Sequence, residues 1–187
     1  MKKNLLLIFV SALSGCFFSS PKSSFYILEN VGQERIVSNK SLQIGVQDVS
    51  VPDYLLRPQI VLQKSGSPEV EISEFHRWAS DLPEMIQNTL ILDMQKALPR
   101  SEVKPLLFGG KSKYIIKIDL EKMTGTFQGE AVLSGTWQIL NQSGQILKQN
   151  TFKLDEKVGQ TYAMYVQAQS TLLQRLSAEI AQSLSRL

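Results

Sequence analysis

Apolar and polar residues trade places with period two along much of this chain, and the longest such runs lie in its second half. Tyr114, Ile116, Ile118 and Leu120 alternate with Ile115, Lys117, Asp119 and Glu121. Ala131, Leu133, Gly135, Trp137 and Ile139 alternate with Ser134, Thr136 and Gln138, and Ile146 to Leu154 carries Phe152 and Leu154 inward. Successive side chains of a strand point to opposite faces, so each run predicts a strand with one buried side. Asn141-Gln142-Ser143-Gly144 supplies a tight turn between the last two, and the three strands read as an antiparallel meander with a polar outer face. Earlier, Phe25 to Leu28 predicts a short strand before the polar stretch Glu29 to Lys40. Leu42, Ile44 and Val46 then alternate with Gln43, Gly45 and Gln47, and the phase slips at Asp48, where a bulge or the end of pairing is expected.

Pro52 and Pro58 cannot both sit inside a central ladder, because each lacks an N–H to donate. The segment between them is expected to leave the sheet as a turn or single helical turn and to return as a strand from Ile60. Lys64 to Pro68 is a turn, with Val70 and Ile72 as the hairpin return. Pro105 to Phe108 reads as a short strand followed by a hairpin turn at Gly109-Gly110-Lys111-Ser112. That tetrapeptide matches only the end of a phosphate-binding loop: the earlier glycine is absent, and a strand follows where a helix is needed.

The period changes to three and four in two places. Asp81 stands as N-cap before Leu82, with Pro83 in the first turn and Glu84 completing a capping box. Met85, Ile86, Leu90, Met94, Ala97 and Leu98 then predict one buried helix face, ended by Pro99. From Tyr162 to Leu187, Tyr162, Tyr165, Val166, Leu172, Leu173, Leu176, Ile180 and Leu184 keep helical spacing, with Gln167, Gln169, Gln174, Glu179, Gln182 and Ser183 on other faces. This predicts a long amphipathic helix laid on the sheet.

The first residues follow none of these patterns. Lys2 and Lys3 precede an apolar run from Leu5 to Leu13, too short for the roughly 20 residues that span a bilayer, and the layout is that of a secretory leader. Leu13-Ser14-Gly15-Cys16 closes it and resembles the lipobox of bacterial lipoproteins, in which the cysteine is acylated and becomes the new N-terminus. The expected organisation is therefore a signal peptide over 1–15, a lipidated tether over 16–24 and one domain over 25–187. Each buried acyl methylene contributes about 0.8 kcal/mol, so two or three chains hold such a protein firmly on a membrane surface. Phe17 and Phe18 are expected to dip into the interface.

Composition then removes several classes of chemistry. The net charge of +3 includes both leader lysines, so without residues 1–15 it is 3 − 2 = +1, and cations and anions are interspersed. No basic stripe suited to nucleic acid remains. Cys16 is the only cysteine and His76 the only histidine, which leaves neither an internal disulfide nor a His/Cys metal cluster. A Ser-His-Asp triad would have to use His76, read here as a surface or helix-start residue. Asp119 with Glu121 and Asp155 with Glu156 are local, solvent-facing pairs by pattern, not two carboxylates in contrasting environments. No catalytic residue, cofactor or metal is expected.

Val51-Pro52-Asp53-Tyr54-Leu55-Leu56-Arg57-Pro58-Gln59-Ile60-Val61, followed by Phe75-His76-Arg77-Trp78-Ala79 and Leu82, is the most distinctive stretch. It resembles the auxiliary lipoproteins of ABC-type and MCE-type lipid transport systems, the family of the paraquat-inducible (Pqi) operon lipoprotein. Leu56 stands where that family usually has an acidic residue. The resemblance implies an α/β, α+β-like fold: a mixed, largely antiparallel sheet flanked by two long helices, like the N-terminal domain of TolB. It also implies a non-enzymatic lipoprotein, anchored to the outer membrane and facing the periplasm, that docks an MCE-type conduit and its ABC transporter, with a possible ring of identical copies. Phe17 after the acylated cysteine agrees with the outer membrane, since aspartate there favours inner-membrane retention in enteric bacteria. Tyr54, Arg57 and Trp78 are the candidate partner-binding residues, although each also has a plain packing role. The alternative is a structural or assembly lipoprotein that binds peptidoglycan or an outer-membrane biogenesis complex.

Overall fold

A computed structural model describes residues 21–31, 36, 38 and 40–187. The leader, Cys16, Phe17 and Phe18 lie outside the described residues. Eight strands and two helices follow in the order β1 (Ser24–Tyr26), β2 (Gln43–Val46), β3 (Gln59–Gln63), β4 (Val70–Trp78), α1 (Leu82–Ala97), β5 (Glu102–Pro105), β6 (Tyr114–Gly125), β7 (Glu130–Asn141), β8 (Ile146–Lys157) and α2 (Tyr162–Ser185). The fold is the expected α/β one with two helices. Its strands divide into two sheets, ordered β1-β4-β3 and β5-β2-β6-β7-β8.

The predicted meander is β6-β7-β8, each neighbouring pair antiparallel. Its inward set, Ile116, Ile118, Leu133, Trp137 and Ile139, is almost wholly buried. α2 packs on β7 and β8 and against α1, and α1 also packs on β5, so the two helices cover one face of the larger sheet. Burying the apolar stripes of both helices and the inner face of the sheet is the main stabilising term, at about 25 cal/mol for each Å² removed from water.

β2 joins the meander in parallel, with Ile44 opposite Tyr114, and β5 pairs in parallel on its other side. β2 is therefore a short central strand and not the half-buried one its alternation suggested. Gly45 on its second face is covered by the β5–β6 link: a Cβ there would meet Leu106 Cδ1 and Ser112 Oγ, each at 2.8 Å. The tetrapeptide at 109–112 is consequently part of a crossover between two parallel strands, not a hairpin turn, and β5 lies three residues earlier than the pattern placed it.

Beyond Val46 the chain leaves the ladder, as the slip at Asp48 suggested, and touches β6 again where Ser50 bridges Asp119. Between the prolines, Asp53–Leu55 forms a 3-10 turn, and β3 and β4 then form the smaller sheet beside the second half of β6. α1 starts at Asp81, but the Asp81 side chain makes no capping hydrogen bond, so the expected capping box is not formed. α2 does have its side-chain cap: Thr161 accepts from the Met164 N–H. Gln169 and Ser183, expected on the outer faces of α2, are buried, and Gln169 donates to the Thr124 carbonyl at 2.9 Å.

Asp93 sits wholly buried on α1 and accepts from the Asn30 side-chain amide. Burial raises its pKa from 3.8 to about 7, with Lys96 pulling the other way. The folded state thus holds a proton that the unfolded chain releases near pH 3.8. Stability from this group is complete below about pH 4, falls as pH rises to about 7, and is gone above it. Asp93→Asn, which keeps the shape, is expected to remove this loss and to exceed the parent by on the order of 2 kcal/mol at pH 8 while matching it near pH 4. Urea midpoints measured across that range check the sign.

Candidate functional site

β6 is twelve residues long, roughly 40 Å at about 3.3 Å each, and exposed apolar residues gather beside its last residues and in the link that precedes it.

At the C-terminal end of β6, four rings from four separate segments meet. His76 of β4 stacks on Tyr162 at the start of α2, with centroids 3.8 Å apart and planes inclined by 13°. Tyr26 of β1 lies across both, and its hydroxyl shares a 2.7 Å hydrogen bond with His76 Nδ1. Phe127 in the β6–β7 turn meets Tyr162 edge-on at 5.0 Å. His76 is therefore a strand residue held between two tyrosines, neither at a helix start nor free on the surface. Its backbone N–H is taken by Ser73 Oγ, and the arrangement joins the small sheet to α2.

The three candidate partner residues do not share a surface. Trp78 is only 4% exposed and belongs to the core, where Tyr26 pairs with it across β1 and β4. Tyr54 is half-buried in the 3-10 turn. Burial raises its phenol pKa and a hydrogen bond to the Met123 backbone opposes this, so the ring ties the proline-bounded segment to β6. Burial also pushes the phenol of nearby Tyr165 well up, with a Gln169 hydrogen bond acting against it. Arg57 is half-buried with Nε shielded from solvent, which fits bracing of the loop better than reaching outward. Leu56 beside it is exposed.

The carboxylates are dispersed. Asp119 is ion-paired to Lys117 at 3.1 Å, and Glu156 faces Arg175 at 3.7 Å. No group of three or more His, Cys, Asp or Glu side chains among the described residues could hold a metal.

Beside the first half of β6, where Pro105 is level with Ile116 across Val46, lies a feature that pattern reading missed. In the β5–β6 link, Leu107 is 75% exposed and Phe108 is 109% exposed, fully in solvent, while Gly109 adopts φ +74° to turn the chain back. Lys104, Lys111 and Lys113 flank this tip in sequence, Lys104 being ion-paired to Glu102 at 3.1 Å, and no acidic residue occurs from Val103 to Ile118. A cleft of about 600 Å³ lies between Lys111 to Tyr114 and the β7–β8 turn at 141–143. The available signal was that sixteen-residue acid-free run, which a strand reading of 105–108 absorbed. An exposed apolar tip in a lysine-rich, acid-free stretch suits an apolar or acidic partner.

The family model for the ABC-type transport auxiliary lipoprotein component matches residues 26–181. The chain belongs to this family. It is 31% identical over 192 residues to the intermembrane transport lipoprotein PqiC of Escherichia coli (strain K12), with 100% of both chains covered. Among solved structures it is similar to a crystal structure of an uncharacterized protein, at 27% identity and a TM-score of 0.74 over 88% of this chain and 99% of that one. Protein XCC0632 from Xanthomonas campestris has the same fold, with a TM-score of 0.69 at 16% identity, over 88% of this chain and 100% of that one. As a member of the family the chain is a lipoprotein component of a transport system in the cell envelope. No helix among its described residues is long and apolar enough to cross a membrane.

Proposed function

We propose that this protein is a non-enzymatic, lipid-anchored component of an ABC/MCE-type intermembrane lipid transport system, which holds the periplasmic conduit at the outer membrane. The full-length likeness to a protein named for intermembrane transport carries this reading. Acylation of Cys16 within the lipobox would supply the anchor, and Phe17 at the following position favours the outer membrane. The contact with the MCE-type protein is assigned to the exposed Leu107–Phe108 tip and the lysines that flank it in sequence. Copies of the chain arranged as a ring would repeat that tip around a central axis and match a symmetric conduit.

A double variant, Leu107→Ser with Phe108→Ser, is expected to weaken recovery of the MCE-type protein from detergent extracts by about tenfold or more, the scale of losing an interface anchor. Because both side chains are already in solvent, its thermal midpoint should stay at the parental value. Undiminished recovery would remove the tip from the interface. Recovery of cell-wall fragments in place of the transport proteins would replace the reading altogether.

A further inference from the structure

At the tethered end of the molecule, large apolar side chains are turned outward from three separate segments. Phe25 on β1 is 65% exposed and Ile27 just beyond it 58%, while Met164 on the first turn of α2 is 50% and Phe127 in the β6–β7 turn 37%. Phe25 alternates with Tyr26, so the same short strand sends one ring into the His76–Tyr162 cluster and the next away from it. A groove of about 410 Å³ separates β1 from the start of α2, lined by Phe25 and Ile27 on one side and Ala163 and Val166 on the other. Phe127 and Tyr162 close its neighbourhood through their 5.0 Å edge contact. Single exposed apolar residues are ordinary; several gathered where one chain segment enters need an occupant.

The chain itself indicates which. β1 begins at Ser24, leaving only residues 17–23 between the domain and Cys16. The nine steps from Cys16 to Phe25, at no more than about 3.6 Å each, reach about 32 Å, so a lipid on Cys16 confines Phe25 to the neighbourhood of the headgroups. A tether this short makes contact with the membrane effectively intramolecular, and even a weak interfacial affinity is then realised. The other apolar feature, at Leu107 and Phe108, belongs to the β5–β6 link and is set back from this end by much of the length of β6, since Pro105 is level with Ile116 across Val46.

We propose that this end of the domain docks directly on the lipid surface that holds acylated Cys16, with Phe25, Ile27, Phe127 and Met164 seated among the headgroups. The domain then stands with β6 directed away from the membrane and the Leu107–Phe108 tip presented to the aqueous side. This rests on the lipid-anchor reading above, and the experiment separates the two.

Acylated full-length protein is reconstituted into vesicles of phosphatidylethanolamine with a minor share of phosphatidylglycerol, in which part of the acyl chains are brominated near the headgroup. Tryptophan is introduced singly as Phe127→Trp, Met164→Trp and, in the β5–β6 link, Phe108→Trp. Trp78 and Trp137, 4% and 1% exposed, provide a background that bromine does not reach. The expected result is that the tryptophans at 127 and 164 lose most of their emission to bromine and shift to the blue, while the one at 108 keeps its emission. Protein that floats with the vesicles but shows no quenching at 127 or 164 overturns the docking and leaves the anchor intact. A blue shift there without quenching overturns it in favour of contact between copies, and quenching at 108 reverses the orientation. Protein that fails to float removes the anchor and the docking with it. If one of the two near-end variants does not fold, the other decides.

Discussion

Gly135→Ala is expected to lower the unfolding free energy by about 3 kcal/mol or more, the scale of an unrelieved core overlap. Gly135 lies in the middle of β7, paired with Leu120 on one side and Phe152 on the other. A Cβ at this position would come within 2.2 Å of the Asp119 carbonyl oxygen and 2.9 Å of Leu120 Cα, both backbone atoms. β6 approaches so closely because its register shifts between Leu120 and Lys122. It cannot back away, since the Leu120 N–H is held from the other edge by the Ser50 carbonyl at 2.9 Å and the Ser50 N–H by the Ile118 carbonyl at 3.1 Å. A methyl group therefore has to break pairing on one side of β6 or the other. Gly144→Ala, in the exposed β7–β8 turn, gives a useful contrast: its Cβ has open space and only the φ of +82° opposes it, so its cost should stay near 1 kcal/mol. Urea midpoints of the two variants, followed by far-UV circular dichroism, test the ordering; equal small losses would show that β6 can yield.

Trp137→Ala is expected to cost about 4 kcal/mol, through lost burial and the cavity left behind. Trp137 is 1% exposed on the inner face of β7, and its Nε1–H donates to Glu179 Oε1 of α2 at 3.1 Å. The Asn150 side-chain amide donates to the same oxygen. Trp137→Phe keeps most of the volume and leaves Asn150 to serve Glu179, so it should cost much less, about 1 to 2 kcal/mol. A Phe variant as unstable as the Ala variant would mean that the hydrogen bond, not the packing, dominates. Both are measured by calorimetric unfolding.

The sequence pattern located the meander well, because alternation over Ala131 to Ile139 and the Asn141 to Gly144 turn are encoded within a few residues of each other. The two helices were equally readable from Leu82 and Tyr162 onward. β4 was harder: Phe75, His76 and Arg77 are all half-buried before the buried Trp78, and its register with β3 is irregular between Gln59 and Val61, so no single period runs through it. His76 was read as a surface or helix-start residue, and only the approach of Tyr26 and Tyr162 shows otherwise. Trp78, a candidate for meeting a partner, is packed inside. Phe108 was read as the last residue of a short strand and instead stands fully in solvent.

The candidate site divides in the same way. Cys16 and its tether depend on a linear motif, and no fold is needed to read them. The basic apolar tip and the outward-turned Phe25, Ile27, Phe127 and Met164 depend on long-range placement, since a residue's own neighbours do not reveal what covers its side chain.

By itself, then, the order of residues determined the local repertoire: which segments become strands or helices, where prolines interrupt them, and the lipobox. Periodicity and turn chemistry act over a few residues, so they survive in a linear reading. The tertiary structure decided how the strands divide into two sheets, that β2 is wedged between β5 and β6, and which apolar residues are left uncovered at each end. Those outcomes depend on pairing between segments far apart in the chain, where burial is a property of the partner as much as of the residue.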